Sequence, residues 1–384
     1  MSANAIALNG AAPLFDRPLA CGQKYFPSRE RYEDAFRGIF SRQYYNNNGP
    51  LHEQLEAQLQ EFLCVRHVIC TSNAILGLMI TADAMQLHGK VIVPAFAHPG
   101  TIQSLRWAGL EPVWCDVDIN THMINPGQAA ALIDGDTCAI LAVNLWGGAC
   151  QSTRLQEIAK AHGIRLFFDS SQAFGCMTPA GRVGCFGEAE IFSFHADMIL
   201  SAGDGGCIAT NDDVLALRAR SIRPSYGLEH PANIVRVANA RLSEAQAAVA
   251  LMNLEDIAIH QAHNRTLRAA WASGLADIPG LTLYHPVGVK ESNWQNLVVI
   301  VDELDFGLSR DRLMKLLMVE NVLARRCFTQ VDYAASLPNT SQLMATCLEL
   351  PLGAQVTIES IGRICEMLAR TQRLADKIWG RHDN

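Results

Sequence analysis

Acidic, hydroxyl and imidazole side chains follow two short apolar runs in the middle of this sequence. Asp169 ends the first run, 166–169, and Gln172 comes three positions later; Ser193 and His195 lie at the end of the second. A carboxylate at the end of a buried strand is costly unless a cationic group meets it, so Asp169 could hold a protonated ligand nitrogen. A helix-capping aspartate is the alternative for Asp169, and an ordinary turn is the alternative for Ser193 and His195.

The second run belongs to a larger unit of sequence, 188–212. It predicts a strand at 191–194, a polar turn, a glycine-rich loop at 203–206 and a second strand at 207–210. A glycine-rich loop alone is a weak indication of function, since glycines also serve tight connections. Together with Asp169 and Ser193, the loop indicates a ligand site.

The elements that would position these residues alternate between apolar runs and helical spacing. Strands are predicted at 67–70, 91–94, 112–116, 138–143, 165–169, 191–194 and 207–210, with helices at 74–87, 101–108, 126–133 and 153–162. Strands that alternate with helices predict a largely parallel sheet covered on both faces. Ligands bind such sheets at the carboxyl ends of the strands, where Asp169 and Ser193 lie.

The chain divides into three predicted parts. Residues 1–49 form an N-terminal arm, 50–255 a large α/β domain, and 256–384 a smaller C-terminal α/β domain in which strand and helix patterns alternate again. Apolar residues at helical spacing predict one long helix over 242–260 that leads out of the large domain.

Composition narrows the possible partners. The net charge is −7 and the Lys and Arg residues are scattered, which argues against nucleic acid. The twelve cysteines lack metal-site spacing, and His260 and His263 lack neighbouring carboxylates, so no metal is predicted.

No apolar stretch reaches the length of a membrane span, and buried free thiols fit a reducing compartment. We therefore expect a soluble, cytoplasmic protein.

Several motifs occur in order and at matching spacing along the chain. They are the turn 45–50 with the helix after it, and the segments 91–94, 116–118, 169–175, 193–198, 205–206 and 239–248. In this set the chain resembles the DegT/DnrJ/StrS-type sugar aminotransferases, which are pyridoxal 5′-phosphate (PLP) enzymes of fold type I. The resemblance runs from about residue 11 to the end of the sequence.

The resemblance implies a homodimer that moves an amino group, usually from glutamate, through PLP and pyridoxamine phosphate (PMP) to a nucleotide-linked keto-deoxysugar. It implies that Asp169 pairs with the pyridine nitrogen and that Gln172 lies near the 3-hydroxyl of the ring. The groups that would take the phosphate are Ser193, the amides around Ser72, Asn73 and Ala74, and Asn239, which would reach the phosphate in the neighbouring subunit.

The chain departs from the family at three positions of this site. Met198 occupies the position of the lysine that carries the cofactor, and a thioether can neither form a Schiff base nor move a proton. Ala74-Ile75 replaces a common Gly-Thr at the phosphate helix. His98 replaces the aromatic residue that stacks on the ring, and an imidazole can both stack and titrate near neutral pH.

Met198 leaves several interpretations open. It is either an engineered replacement of the lysine or a natural one. In both cases PLP or PMP, if it binds at all, would bind non-covalently, and normal transamination is not expected. The alternatives are a lysine-independent enzyme, either dehydratase-like with PMP or PLP-independent, with His98 or His195 as the base, and a catalytically inactive scaffold.

Overall fold

The computed structural model describes residues 7–46, 48–224, 236–328 and 336–375. Asn47 of the motif 45–50 and residues 376–384 of the predicted C-terminal domain lie outside this part of the chain.

The α-helices are α1 Arg29–Arg42, α2 Pro50–Leu63, α3 Ala74–Ala84, α4 Pro99–Trp107, α5 Pro126–Ala131, α6 Ser152–His162, α7 Asp213–Ile222, α8 Glu244–Glu255, α9 Ile257–Leu275, α10 Glu303–Phe306, α11 Arg310–Val319, α12 Pro338–Thr346 and α13 Ile358–Arg373. The strands are β1 Leu19–Ala20, β2 His67–Thr71, β3 Lys90–Pro94, β4 Glu111–Cys115, β5 Thr137–Val143, β6 Arg165–Asp169, β7 Met177–Thr178, β8 Gly181–Arg182, β9 Ala189–Ser193, β10 Gly206–Thr210, β11 Leu281–Leu283, β12 Leu297–Val301, β13 Val322–Leu323, β14 Arg325–Arg326 and β15 Cys347–Leu350.

The larger sheet has seven strands in the order β2-β10-β9-β6-β5-β3-β4. Strands β9, β6, β5, β3 and β4 are parallel, while β10 runs antiparallel to β9 and β2. The carboxyl ends of β2, β3, β6 and β9 therefore lie at one edge, which we call the carboxyl edge. Strands β5, β6 and β9 are almost completely buried because helices cover both faces of the sheet. The prediction of a largely parallel α/β sheet is confirmed.

The C-terminal part of the chain contains a second, antiparallel sheet with the order β11-β12-β15-β14, which we call the small sheet. Helices α9 and α13 pack against each other, and their apolar side chains share one core with β12 and β15. The boundary between the large domain and the C-terminal domain, placed after residue 255, stays a proposal. It falls at the junction between α8 and α9.

The predicted helix over 242–260 is two helices that meet at Asp256. The backbone of Asp256 leaves helical geometry, with φ −91° and ψ 1°, although apolar spacing continues across the junction. Arg31 of α1 donates from Nη1 to the Asp256 carboxylate over 2.5 Å. This contact with a distant helix carries no local sequence signal, which is why the pattern predicts a continuous helix.

The N-terminal segment contacts both parts of the chain. Strand β1 pairs in parallel with β13 in a separate two-stranded sheet, and α1 packs against α8. Between them, the backbone nitrogen of Gln23 donates to the carbonyl oxygen of Asp197 over 3.1 Å. The segment 21–24 therefore lies against the loop that contains Met198.

His122 is a fully buried histidine beside the carboxyl edge. Its ring centroid lies 4.4 Å from that of Tyr284 and 6.0 Å from that of Phe96, and neither ring nitrogen has a partner among the described residues. Burial lowers the pKa of His122 to about 4 from its ordinary value of 6.5. Between these two pH values the unfolded chain binds a proton that the folded chain does not, so stability falls as the pH falls through this window.

We expect a His122→Phe variant to lose less stability than the unsubstituted protein when the pH is lowered from 7 to 5. The difference should be about 2 kcal/mol, because protonation of this one side chain in the unfolded state is removed. Urea unfolding at the two pH values measures it, with His162→Gln, at an exposed position, as the control. Equal pH dependence in His122→Phe and the unsubstituted protein would contradict the assignment.

Candidate active site

Asp169 ends β6 with its carboxylate at the carboxyl edge, and only 5% of the residue is exposed. Its Oδ1 accepts from the backbone nitrogen and hydroxyl of Ser171, at 3.1 and 2.6 Å, and its Oδ2 accepts from Thr101 Oγ1 at 2.6 Å. In the described part of the chain no cationic side chain pairs with Asp169. The carboxylate is therefore fixed in place and still able to meet a cationic ligand group.

A buried polar chain supports the end of β6. Ser170 Oγ donates to Glu190 Oε2 over 2.5 Å and accepts from Asn144 Nδ2 over 2.9 Å. The other oxygen of Glu190 accepts from the backbone nitrogens of Gly184 and Phe186. Burial raises the pKa of Glu190 to about 7. These bonds fix the backbone next to Asp169, so its carboxylate has little freedom to move.

The first turn of α3 lies beside the start of β10. Asn73 caps α3, because its Oδ1 accepts from the backbone nitrogen of Leu76 over 2.8 Å. A Cβ on Gly206 would come within 2.9 Å of the Ala74 nitrogen, so a glycine lets β10 approach the helix this closely. Ser193 pairs with Gly206 across β9 and β10. A helix N-terminus and a hydroxyl side chain therefore flank Gly206, and such an arrangement attracts anions.

Ser72 precedes the first turn of α3, and Gln172 follows Asp169 by three residues. The backbone nitrogen of Ser72 donates to the Ala240 carbonyl over 2.9 Å, which ties α3 to the segment that contains Asn239. Gln172 Oε1 accepts from the backbone nitrogen of Trp146 over 3.0 Å. The Gln172 amide is thereby oriented with its oxygen toward the protein, and its Nε2 is the group that can donate to a ligand.

Met198 is half-buried in the loop after β9. Its Sδ accepts from Gln295 Nε2 over 3.5 Å, and its backbone nitrogen donates to the His195 carbonyl over 2.9 Å. Gln295 is held in turn, because its Oε1 accepts from the backbone nitrogen of Ile199. The methionine is thus a packed side chain with a defined partner, and its thioether offers no proton to transfer.

His98 and His195 are exposed and share one hydrogen-bonding pattern. The Nδ1 of His98 accepts from the Gly100 nitrogen over 3.0 Å, and the Nδ1 of His195 accepts from the Asp197 nitrogen over 3.2 Å. A neutral imidazole whose Nδ1 accepts carries its proton on Nε2. In this form each ring carries an N–H on Nε2 that can donate a hydrogen bond, and the catalytic roles expected from the sequence stay predictions.

Ile75 stands next to His98 at this edge. A Cβ added to Gly100 would lie 2.7 Å from Ile75 Cδ1 and 3.0 Å from His98 Nδ1, so the two side chains approach the same glycine. Ile75 is 41% exposed despite being large and apolar. The two departures noted in the sequence are therefore neighbours in space and change one face of the site together.

Comparison with known proteins identifies the family. Residues 28–369 match the DegT/DnrJ/EryC1/StrS aminotransferase family. The chain belongs to this family. The family's members are PLP-dependent aminotransferases that act on nucleotide sugars. The resemblance to this family that the sequence motifs indicate is therefore confirmed.

Two curated relatives of this family member are sugar transaminases. The dTDP-4-amino-4,6-dideoxy-D-glucose transaminase of Shigella dysenteriae is 30% identical over 353 residues, which cover 89% of this chain and 96% of the relative. The Escherichia coli enzyme of the same name is 26% identical over 317 residues, or 82% and 84% of the two chains.

Solved structures agree with the fold. DesI, crystallised in the presence of its TDP-sugar product, superposes with a TM-score of 0.94 at 32% identity and complete coverage of both chains. The E. coli GDP-4-keto-6-deoxy-D-mannose-3-dehydratase with bound hydrated PLP has a TM-score of 0.79 at 20% identity over 93% of this chain and 99% of its own, which shows a likeness of fold. Fold type I, predicted from the sequence, is therefore confirmed.

Asn239 lies at the margin of the site in this family member. It is exposed, and its Oδ1 accepts from Arg241 Nε over 2.8 Å, which leaves the amide nitrogen pointing away from that contact. A bridge pairs Asn239 with Pro224, next to the segment 225–235 that lies outside the described residues. Its role toward a neighbouring subunit stays a prediction.

His52, Glu56 and Cys70 form the one cluster in the described chain whose spacing could hold a metal ion. Glu56 is already paired with two guanidinium groups, those of Arg220 at 2.6 Å and Arg223 at 2.7 Å. These cations hold the pKa of Glu56 below its ordinary value despite burial. The cluster is therefore a buried ion-pair network that ties α2 to α7.

Among the described helices, none has the length and apolar composition for crossing a membrane.

Proposed function

We propose that the chain binds PMP, or PLP without a bond to residue 198, at the carboxyl edge and acts on the keto group of a dTDP-linked 4-keto-6-deoxysugar. The carboxylate of Asp169 carries this proposal, because it is buried and rigidly held and has no cationic partner among the described side chains. The names of the curated relatives and the TDP-sugar product of DesI support the substrate class.

The residues present fit a phosphorylated pyridine. Asp169 would pair with the ring nitrogen and keep it protonated, and Gln172 would donate to the 3-hydroxyl. The first turn of α3 and Ser193 would bind the phosphate. When bound, such a cofactor supplies an electron sink and, as PMP, the amino group that is transferred.

Met198 restricts the reactions that the chain can catalyse at this site. It can neither anchor a cofactor nor move the proton that a lysine moves, so turnover with glutamate as amino donor should be slower by orders of magnitude. The Nε2–H groups of His98 and His195 can still donate hydrogen bonds to a substrate oxygen. A lysine-independent, dehydratase-like reaction with a histidine as base is the second candidate, and an inactive scaffold is the third.

Equilibrium dialysis with PMP tests the site itself, because PMP carries an amine and cannot condense with a lysine. We expect saturable retention of one PMP per chain, and incubation of that complex with dTDP-linked keto sugar should show either an aminated or a deoxygenated product. Retention without a product would indicate a scaffold. No retention of PMP would overturn the proposed function.

We also propose that the chain is a homodimer in which Asn239 reaches the partner's cofactor phosphate. One side of α1 and its flanks carries a row of aromatic rings whose successive centroids lie 4.5–6.4 Å apart. The row consists of Phe26, Tyr32, Phe36, Phe40 and Tyr45, of which Phe26, Phe40 and Tyr45 are more than half exposed. A continuous exposed apolar surface of this kind is typical of an interface.

A Phe40→Asp variant is expected to weaken the dimer by roughly 10- to 100-fold, because burial of one phenylalanine contributes about 1.5–3 kcal/mol. Sedimentation velocity over a dilution series measures the shift from dimer to monomer. Leu304→Asp is the matched control, since Leu304 is 93% exposed and lies on α10, away from the aromatic row. A dimer unaffected by Phe40→Asp would place the interface elsewhere.

A further inference from the structure

The fold brings one lysine to the residue that precedes Met198. Lys24 Nζ lies 2.6 Å from Asp197 Oδ1, although 173 positions separate the two residues in the sequence. The side chain of Lys24 is 35% exposed, so its amine is accessible to a small ligand. A primary amine is therefore bonded to the residue that precedes Met198 in the chain.

Hydrogen bonds fix the segment of Lys24 against the loop of Met198. Gln23 donates from its backbone nitrogen to the Asp197 carbonyl over 3.1 Å and from Nε2 to the Gln295 carbonyl over 2.6 Å. Gln295 is the residue whose Nε2 contacts Met198 Sδ. Residues 23–24, 197–199 and 295 thus form one connected cluster.

The backbone of Lys24 is also unusual. Its φ is +54°, in the left-handed region that residues other than glycine rarely adopt. Such a conformation costs free energy and persists where the surrounding contacts enforce it, often at functional sites. Here it accompanies the ion pair between Lys24 and Asp197.

None of the other described lysines forms a hydrogen bond or ion pair with residues 197–199. Lys90 begins β3, at the end opposite the carboxyl edge, and pairs with Asp134. Lys160, Lys290 and Lys315 are exposed and lie on α6, in the connection between β11 and β12, and on α11. Lys24 is therefore the described lysine whose side chain is bonded to the loop of Met198.

We propose that Lys24 is a covalent attachment site for an aldehyde ligand of this site, with PLP as the ligand that the proposed function supplies. The ammonium nitrogen of Lys24 forms a double bond to the aldehyde carbon, and the aldehyde oxygen leaves as water with two of the ammonium protons. The third proton and the positive charge stay on nitrogen. The step is a condensation without oxidation or reduction, and water reverses it. This inference rests on the proposed function.

Asp197 positions the amine and balances its charge before and after the condensation. Its Oδ1 bonds Lys24, and its Oδ2 lies 3.0 Å from Arg325 Nη1 of the small sheet. The two cations hold the pKa of Asp197 below its ordinary value although burial opposes this. Because the nitrogen remains cationic in the product, the ion pair with Asp197 survives the reaction.

Borohydride reduction followed by peptide mapping tests the attachment. The full chain is incubated with equimolar PLP and reduced with borohydride, and the pyridoxyl group is located by mass spectrometry. We expect it on the peptide that contains Lys24, with about tenfold less label when PMP is present at ten times its dissociation constant. Lys24→Arg keeps a cation for Asp197 but has no primary amine and should lose the label, whereas Lys290→Arg should retain it.

The outcomes separate this inference from the proposed function. If PMP is retained but no label forms on Lys24, or if the label resides on the exposed lysines and PMP does not suppress it, Lys24 is not the attachment site and the proposed function stands. If the chain retains neither PMP nor PLP, both fail. Circular dichroism of Lys24→Arg confirms that a lost label does not reflect unfolding, and mapping of the unsubstituted chain needs no variant.

Discussion

An Asp169→Asn variant is expected to bind PMP about 100-fold more weakly than the unsubstituted chain. Asparagine has nearly the same shape, so Thr101 and Ser171 can still bond the side chain, but the negative charge that would meet the ring nitrogen is gone. Loss of one charged partner in a buried site costs about 3 kcal/mol, which corresponds to that factor. Equilibrium dialysis with PMP measures the change in affinity.

Asp116→Asn is the matched control for this variant. Asp116 follows β4 as a buried carboxylate, and its Oδ1 accepts from the Thr340 hydroxyl over 2.7 Å, much as Asp169 accepts from Thr101. It bonds α12 rather than facing the first turn of α3. We expect Asp116→Asn to lower the unfolding temperature and to leave PMP affinity unchanged. Equal PMP affinity in Asp169→Asn and the unsubstituted chain would reduce Asp169 to a structural residue.

The grouping of Asp169, Gln172 and Ser193 could be predicted because it follows from the strands. Short, fully apolar runs separated by helical spacing identify buried parallel strands, and the residues after such strands meet at one edge of the sheet. Each predicted strand of the large sheet lies within two residues of an observed one. The position of Asn73 at the start of α3 follows from its capping side chain in the same way.

The partners of these residues could not be predicted. Thr101 bonds Asp169 from a helix 68 residues earlier, and Lys24 reaches Asp197 across 173 residues. Hydrophobic periodicity reports which face of an element is buried but not which side chain of another element meets it. The resemblance to the family predicts a lysine where the sequence has Met198, while the contact of Lys24 with the neighbouring Asp197 becomes visible only in the folded chain.

Ion pairs connect the loop that contains Met198 to the small sheet. Asp197, Arg325 and Glu349 form a continuous ion-pair chain from the loop of Met198 to β15, with Lys24 at the end opposite Glu349. Glu349 is buried and its pairing with Arg325 spans 2.6 Å. These ion pairs hold the loop against β14 and β15, so a substitution at residue 198 should leave the backbone of the loop in place.

A Met198→Lys variant is expected to gain a covalent attachment at residue 198 and glutamate-dependent amination of a dTDP-linked 4-keto-6-deoxysugar. Methionine and lysine are both unbranched, so the lysine stem can follow the path of the thioether past Gln295. A positioned proton shuttle contributes roughly 10²- to 10⁴-fold, and we expect a rate gain of that order. Borohydride mapping locates the attachment, and chromatography of the amino sugar measures the rate.

Met198→Leu is the control, because leucine fills the same space without an amine and should change neither quantity. Combination with Lys24→Arg separates the two lysines: the double variant Met198→Lys with Lys24→Arg should carry all of its label at residue 198. Attachment at residue 198 without amination would show that the amine is not the only change that matters. Ile75 and His98 then mark a site shaped for another reaction, since they alter the face on which the ring would stack. Amination at the expected rate would instead confine the difference from the aminotransferases to the single side chain at position 198.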